Sequence, residues 1–204
     1  MISIVDYGMG NLRSIENALS FLGVAHRLTR DPVEILQSGR LILPGVGSFW
    51  RAMDNLVRSG LADSIVRSAN SGTPILGICL GMQLLAGEGE EGGVCDGLGL
   101  IKGIVKHLET GSAIQRVPHM GFNEVSFTRT LPLFSGIADT SHFYFAHSYH
   151  LVGDDGDVAG LTTHGVPFTS IVVRDNVIGT QFHPEKSQSH GLRLLRNFCV
   201  GPVC

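Results

Sequence analysis

The sequence predicts an α/β fold in a single domain over residues 1–204, with a mostly parallel central sheet covered by helices and antiparallel strands added in the second half. Three observations carry this. Short apolar and β-branched runs alternate with helical periodicity through residue 86, the pattern of a helix-covered parallel sheet. Beyond residue 100 the runs are strand-like and separated only by short connections. A chain of 204 residues, 43% hydrophobic and with 27 glycines, can bury one large core and make many tight strand–helix turns.

The elements follow in order. Residues 2–5 form a β-branched run that ends in Asp6-Tyr7-Gly8. Leu12, Ile15, Leu19 and Leu22 recur at three- and four-residue steps, an amphipathic helix over 11–22 closed by Gly23. Residues 24–28 read as a second strand, and Asp31-Pro32 starts a short helix with aspartate as cap and proline at the first position. A third strand over 40–43 runs into Pro44-Gly45-Val46-Gly47. Residues 50–70 read as helix broken at Ser59-Gly60, followed by a buried strand over 75–78 and a helix over 80–86. After the acidic, glycine-rich loop 88–93, strands are expected at 101–107, 123–127, 143–152, 158–162, 168–173 and 177–182. Arg174-Asp175-Asn176 reads as a hairpin turn. Ser187 can cap a closing helix whose Leu192, Leu195 and Phe198 share one face.

Composition excludes several functions. A net charge of −3 gives no reason to expect nucleic acid or an anionic membrane as partner. The first residues lack the basic start and long apolar run of a signal peptide, and no stretch is apolar enough to span a bilayer. Cys79, Cys95, Cys199 and Cys204 form no CxxC pair, so reduced thiols in the cytoplasm are expected. No GxxxxGKS occurs, so a phosphate-cradling nucleotide loop and a cofactor are unsupported. His142, His147 and His150 fall in one expected strand, but alternation sets His147 opposite the other two, which argues against a metal.

Chemistry concentrates in three segments. In Gly77-Ile78-Cys79-Leu80-Gly81 a strand passes into a helix with no loop, and glycines flank the cysteine at two residues on either side. That is the cysteine form of a nucleophile elbow, which exposes the sulfur above a helix N-terminus that favours negative charge. Alone, the segment also fits a buried cysteine on a turn. In Gln181-Phe182-His183-Pro184-Glu185, proline keeps His183 extended, so His183 and Glu185 should project to the same side. A carboxylate so placed orients the ring and stabilises its protonated form, and the ring serves as base for a thiol and acid for a leaving amine. Pro44-Gly45-Val46-Gly47 lies at the carboxyl end of a parallel strand, the rim where open α/β sheets bind ligands. Attack by Cys79 on a carbonyl needs oxyanion donors, which Leu80 N–H and the backbone of this glycine-rich loop can supply.

In this order, PGVG, GICLGMQ and QFHPEKS resemble the class I (triad) glutamine amidotransferases, over nearly the whole chain. Asp6-Tyr7-Gly8-Met9-Gly10-Asn11-Leu12, Pro118-His119-Met120-Gly121, His147-Ser148-Tyr149 and the HPEKSQ run are similar to the glutaminase subunits of imidazole glycerol phosphate synthases. Two features depart from that pattern: Phe122 stands where tryptophan is usual after PHMG, and the loop over 86–93 is richer in glycine. The resemblance implies a class I amidotransferase fold, with Cys79 as nucleophile, His183 as acid and base, and Glu185 as the carboxylate that orients it. It implies an oxyanion hole from Leu80, Val46 and Gly47, and contacts to glutamine from Gly47, Gln83, Glu91, Ser148 and Tyr149. It further implies a heterodimer with a cyclase subunit, to which ammonia from L-glutamine passes in histidine biosynthesis. A carboxylate at Glu91 suits an α-ammonium group, though by itself it also reads as a solvated loop charge.

Two other readings compete. The glutaminase of another amidotransferase, such as anthranilate synthase, would use the same chemistry with a different acceptor. An elbow-fold binding or redox-sensing protein would use the cysteine without turnover, but has no use for a base–carboxylate pair. The apolar and aromatic stretch from Pro118 to Asn123 suits the core of a docking surface.

Overall fold

The computed structural model describes residues 1–109, 111 and 116–202. The expectation for Cys204 lies outside them.

The first half alternates strands with helices, with two helices in succession before the fourth strand. The elements are β1 (Ile2–Val5), α1 (Leu12–Phe21), β2 (His26–Thr29), α2 (Pro32–Leu36), β3 (Arg40–Leu43), α3 (Phe49–Arg58), α4 (Leu61–Asn70), β4 (Ile75–Ile78) and α5 (Leu80–Leu84). The punctuation is chemical. Asp31 accepts from Val33 N–H and opens α2 with Pro32 behind it, while Gly60 at φ 72° separates α3 from α4.

The second half is strand-rich: β5 (Glu88–Gly89), β6 (Cys95–Asp96), β7 (Gly103–His107), β8 (His119–Phe127), β9 (Ser141–His147), β10 (Tyr149–Gly153), β11 (Val158–His164), β12 (Val166–Arg174) and β13 (Val177–Thr180). The chain closes with α6 (Gln188–Val200). A nine-stranded sheet runs β2-β1-β3-β4-β13-β12-β11-β8-β9, and a four-stranded sheet runs β10-β7-β5-β6. The first five strands of the large sheet are parallel and the later pairings are antiparallel.

The inner parallel strands are buried on both faces, so their residues alternate between two cores. Ile42 of β3 joins one with Ile15, Leu195 and Phe198 from α1 and α6. Leu41 and Leu43 join the other with Ile35, Leu56 and Ile65 from α2, α3 and α4. Among the described residues no helix is long and apolar enough to cross a membrane.

Several expectations need correcting. The run 143–152 is two strands, broken at Ser148, where the chain leaves the large sheet for the small one. Phe143, Phe145, His147 and Leu151 are all buried, so the inward parity continues across the break and alternation cannot reveal it. β8 begins four residues before the expected start at 123 because its pattern is inverted there: Met120 and Phe122 face out while His119 faces in. The second strand starts at His26 rather than 24, the helix after Cys79 ends at Leu84 rather than 86, and Leu194 is more deeply buried on α6 than Leu192. The short strands at Glu88–Gly89 and Cys95–Asp96 fall in and beside a loop too polar to read as sheet.

Candidate active site

The elbow forms as its glycines require. Cys79 sits at φ 54°, ψ −111° between β4 and α5, a conformation that costs a non-glycine residue about 1–3 kcal/mol and persists only where surroundings enforce it. They do: Cys79 N–H donates to Thr180 O at 2.7 Å, and Cys79 O accepts from Gln83 N–H at 3.2 Å. A Cβ on Gly77 would meet Gly81 O at 2.6 Å, and one on Gly81 would overlap the Leu43 carbonyl. Only glycine lets the strand, the turn and β3 approach this closely.

β13 lies parallel beside β4, with Thr180 opposite Ile78, so the residues after β13 emerge at the same rim as Cys79. His183 is extended at φ −98°, ψ 96°, as Pro184 demands, but Pro184–Lys186 then turn as a 3₁₀ helix. The expected extended segment is therefore corrected: Glu185 reaches His183 from within one tight turn, not by strand alternation. His183 Nδ1 and Glu185 Oε1 are 2.8 Å apart, with side chains 4% and 1% exposed. Nε2 remains for the side-chain hydrogen bond with Cys79. Burial alone would lower the imidazole pKa, but the bonds and charges of Cys79 and Glu185 outweigh it and raise it to about 10.

Ser187 precedes α6 as expected, yet its side chain does not cap the helix. It donates to His183 O at 2.6 Å and accepts from Tyr144 N–H at 2.9 Å, tying the histidine to β9. Cys79 Sγ lies 3.9 Å from Ala146 O, and Gln181 Nε2 approaches it at 3.8 Å.

In front of the sulfur opens a cleft of about 540 Å³. Cys79, Leu80, Val46 and Gly47 line one side. Gln83, Glu91, Ser148 and Tyr149 line it as well, so all the expected pocket residues converge there while His183 and Glu185 lie buried behind. Gly47, at φ 118°, follows a half-exposed Val46. Tyr7 Oη donates to Pro44 O at 2.7 Å, anchoring this loop from β1. Glu91 is more than a solvated charge, since its Oε2 accepts from Phe49 N–H at 2.7 Å and caps α3 in place of Ser48. Gln83 Nε2 donates to Tyr149 O at 2.7 Å and to Gln181 Oε1 at 3.2 Å.

Tyr7, Ser187, Gln181 and His147 do work that sequence reading did not assign. All four lie inside the motifs themselves, which was the available signal, but their partners are remote in sequence. The expectation that alternation keeps His150 away from His147 is corrected, since the chain changes sheets at Ser148 and His150 lies near enough to act on His147 electrostatically. His147 also meets His119, with His119 Nδ1 3.0 Å from His147 Nε2. Among the described residues no group of three or more His, Cys, Asp or Glu is arranged to hold a metal.

A family model for glutamine amidotransferase class-I matches residues 3–201. The imidazole glycerol phosphate synthase subunit HisH of Syntrophotalea carbinolica is 46% identical over 203 residues, covering 97% of this chain and 98% of the relative. The protein of the same description from Moorella thermoacetica is 49% identical over 198 residues, covering 97% and 93%. A solved glutamine amidotransferase superposes with a TM-score of 0.75 at 21% identity, over 97% of this chain and 96% of that one. PurLQS from Thermotoga maritima gives 0.73 at 20% identity with the same coverage.

Proposed function

The chain belongs to the class-I glutamine amidotransferase family, and from that premise we propose that Cys79, His183 and Glu185 hydrolyse L-glutamine to glutamate and ammonia. The activity is that of the glutamine amidotransferase subunit of an imidazole glycerol phosphate synthase, in histidine biosynthesis. The observation that carries the site assignment is the buried His183–Glu185 pair at 2.8 Å, with the ring's other nitrogen turned to an elbow cysteine.

The Cys79 thiol gives its proton to His183 Nε2, and the sulfur attacks the side-chain carboxamide carbon of glutamine as the carbonyl electron pair moves onto oxygen. Backbone N–H groups of Leu80 and of the Val46–Gly47 segment receive that oxyanion. Collapse re-forms the carbonyl and expels the amine, which takes a proton from His183 Nε2 and leaves as ammonia. A glutamyl thioester remains. Water then gives a proton to His183 and attacks the thioester, and a second collapse returns the sulfur and releases glutamate. Glu185 keeps the ring oriented through both proton transfers. The amino-acid end of glutamine rests against Gly47, Gln83, Glu91, Ser148 and Tyr149.

Ammonia released into water becomes ammonium and is no longer a nucleophile. The product therefore passes, in the cytoplasm, to a cyclase subunit bound as a heterodimer, which makes imidazole glycerol phosphate and aminoimidazole-carboxamide ribonucleotide. Met120 and Phe122, 67% and 49% exposed on β8, suit the docking surface. The test is ammonia release from glutamine by the purified chain, with and without cyclase subunits. Wild type should turn over with the cyclase and Cys79→Ala should not; activity retained in Cys79→Ala would refute the assignment.

A further inference from the structure

We propose that His147 is a positioning residue for glutamine binding, holding the Ser148–Tyr149 turn through Nδ1, and that His119 and Asn123 fix its tautomer. The inference deepens the glutaminase reading and rests on it.

The hydrogen bonds form one directed chain. His147 Nδ1 is 2.9 Å from Tyr149 O. A carbonyl only accepts, so Nδ1 carries the proton of the neutral ring and Nε2 is left as an acceptor. His119 Nδ1, 3.0 Å from that Nε2, must then be the donor, which leaves His119 Nε2 to accept. Asn123 Nδ2 donates to it at 3.1 Å. The amide cannot be reversed, because Nδ2 also donates to Thr163 O at 2.9 Å and Oδ1 accepts from Glu124 N–H at 2.8 Å. One assignment satisfies every group, running along the face of β8 opposite Met120 and Phe122 to the pocket.

The end of the chain is the pocket wall. His147 closes β9 and Tyr149 opens β10, so the bond spans the break where the chain changes sheets. Tyr149 O also accepts from Gln83 Nε2 at 2.7 Å, and Ser148 O accepts from Leu108 N–H at 2.8 Å. Both Tyr149 acceptor positions are used, and the peptide cannot rotate without losing one.

The pair is built to stay neutral. Facing it are His164, stacked on His119 with ring centroids 4.2 Å apart, His150, and the rings of Phe145 and Phe168. Burial, with the neighbouring imidazoles, lowers His119 to about 4 and His147 to about 3. A proton on either ring would set two N–H groups against each other.

Substitutions at His147 separate its two nitrogens, because asparagine puts an amide near Nδ1 and glutamine near Nε2. Measured with the cyclase present, His147→Gln should raise KM for glutamine about tenfold with kcat within about threefold, the signature of lost ground-state binding. His147→Asn should recover most of that loss. Equal KM in the two variants, or a collapse of kcat with KM unchanged in His147→Gln, would overturn the proposal. A second readout needs no variant: histidine ¹⁵N shifts of the wild-type chain should report Nδ1–H tautomers at both His119 and His147. An Nε2–H tautomer at His147 would overturn it. If wild type with cyclase fails to hydrolyse glutamine, the functional reading falls, and the tautomers still decide the hydrogen-bond chain.

Discussion

Glu185 meets its histidine with one oxygen, while the other, Oε2, is buried with no hydrogen-bond partner among the described residues. A buried carboxylate so placed depends on the protonated imidazole. Glu185→Gln should therefore keep some activity, because orientation supports the base, whereas His183→Ala should lose nearly all, because the base moves the proton. Equal activity in wild type and both variants would refute those roles. The pair should also stabilise the fold with a definite pH dependence. His183 is raised to about 10 from about 6.5 in the unfolded chain, so the contribution is full below about pH 6.5 and fades as pH rises through about 10. Urea denaturation should show the gap between wild type and Glu185→Gln shrinking over that window; a gap that widens would contradict it. The His183–Glu185 contact was legible because proline and short spacing constrain the two residues locally, although a turn and not strand alternation makes it. The link from Asn123 through His119 to His147 was not, because it depends on strand register and side-chain tautomers that no spacing encodes.

At the scale of elements, the elbow was legible since Gly77 and Gly81 flank the one residue that must turn. Gly81→Ala would drive a methyl into the Leu43 carbonyl, backbone that cannot swing away. It should cost about 3 kcal/mol, the upper end for overpacking, and disable glutamine hydrolysis with it. An unshifted urea midpoint would show that the turn has slack. The break between β9 and β10 was not legible, because the inward parity is the same on both sides of Ser148. Nor was the early start of β8, whose outward residues are apolar. That inversion motivates the docking prediction. Met120→Asp or Phe122→Asp should weaken association with the cyclase subunit and lower cyclase-stimulated glutaminase activity together. Unchanged binding and stimulation in both variants would place the docking surface elsewhere.

Across the whole molecule, the parallel half supplies the elbow cysteine and the antiparallel half supplies the opposite wall of the cleft. After α5 the chain builds the small sheet and the antiparallel strands, then returns as β13 to lie parallel beside β4. That return brings His183 to Cys79. The sequence announced both ends of this path through their motifs, but not the order of strands between them, which depends on long-range pairing. Everything proposed about function needs the two ends to act on glutamine as one unit. The most direct measurement is covalent labelling by an electrophilic glutamine analogue in the presence of the cyclase subunit, read by peptide mass mapping. One adduct per chain on Cys79, blocked by glutamine and absent from Cys95, Cys199 and Cys204, is the predicted result. An adduct confined to another cysteine, or none on an enzyme that is turning glutamine over, would contradict it.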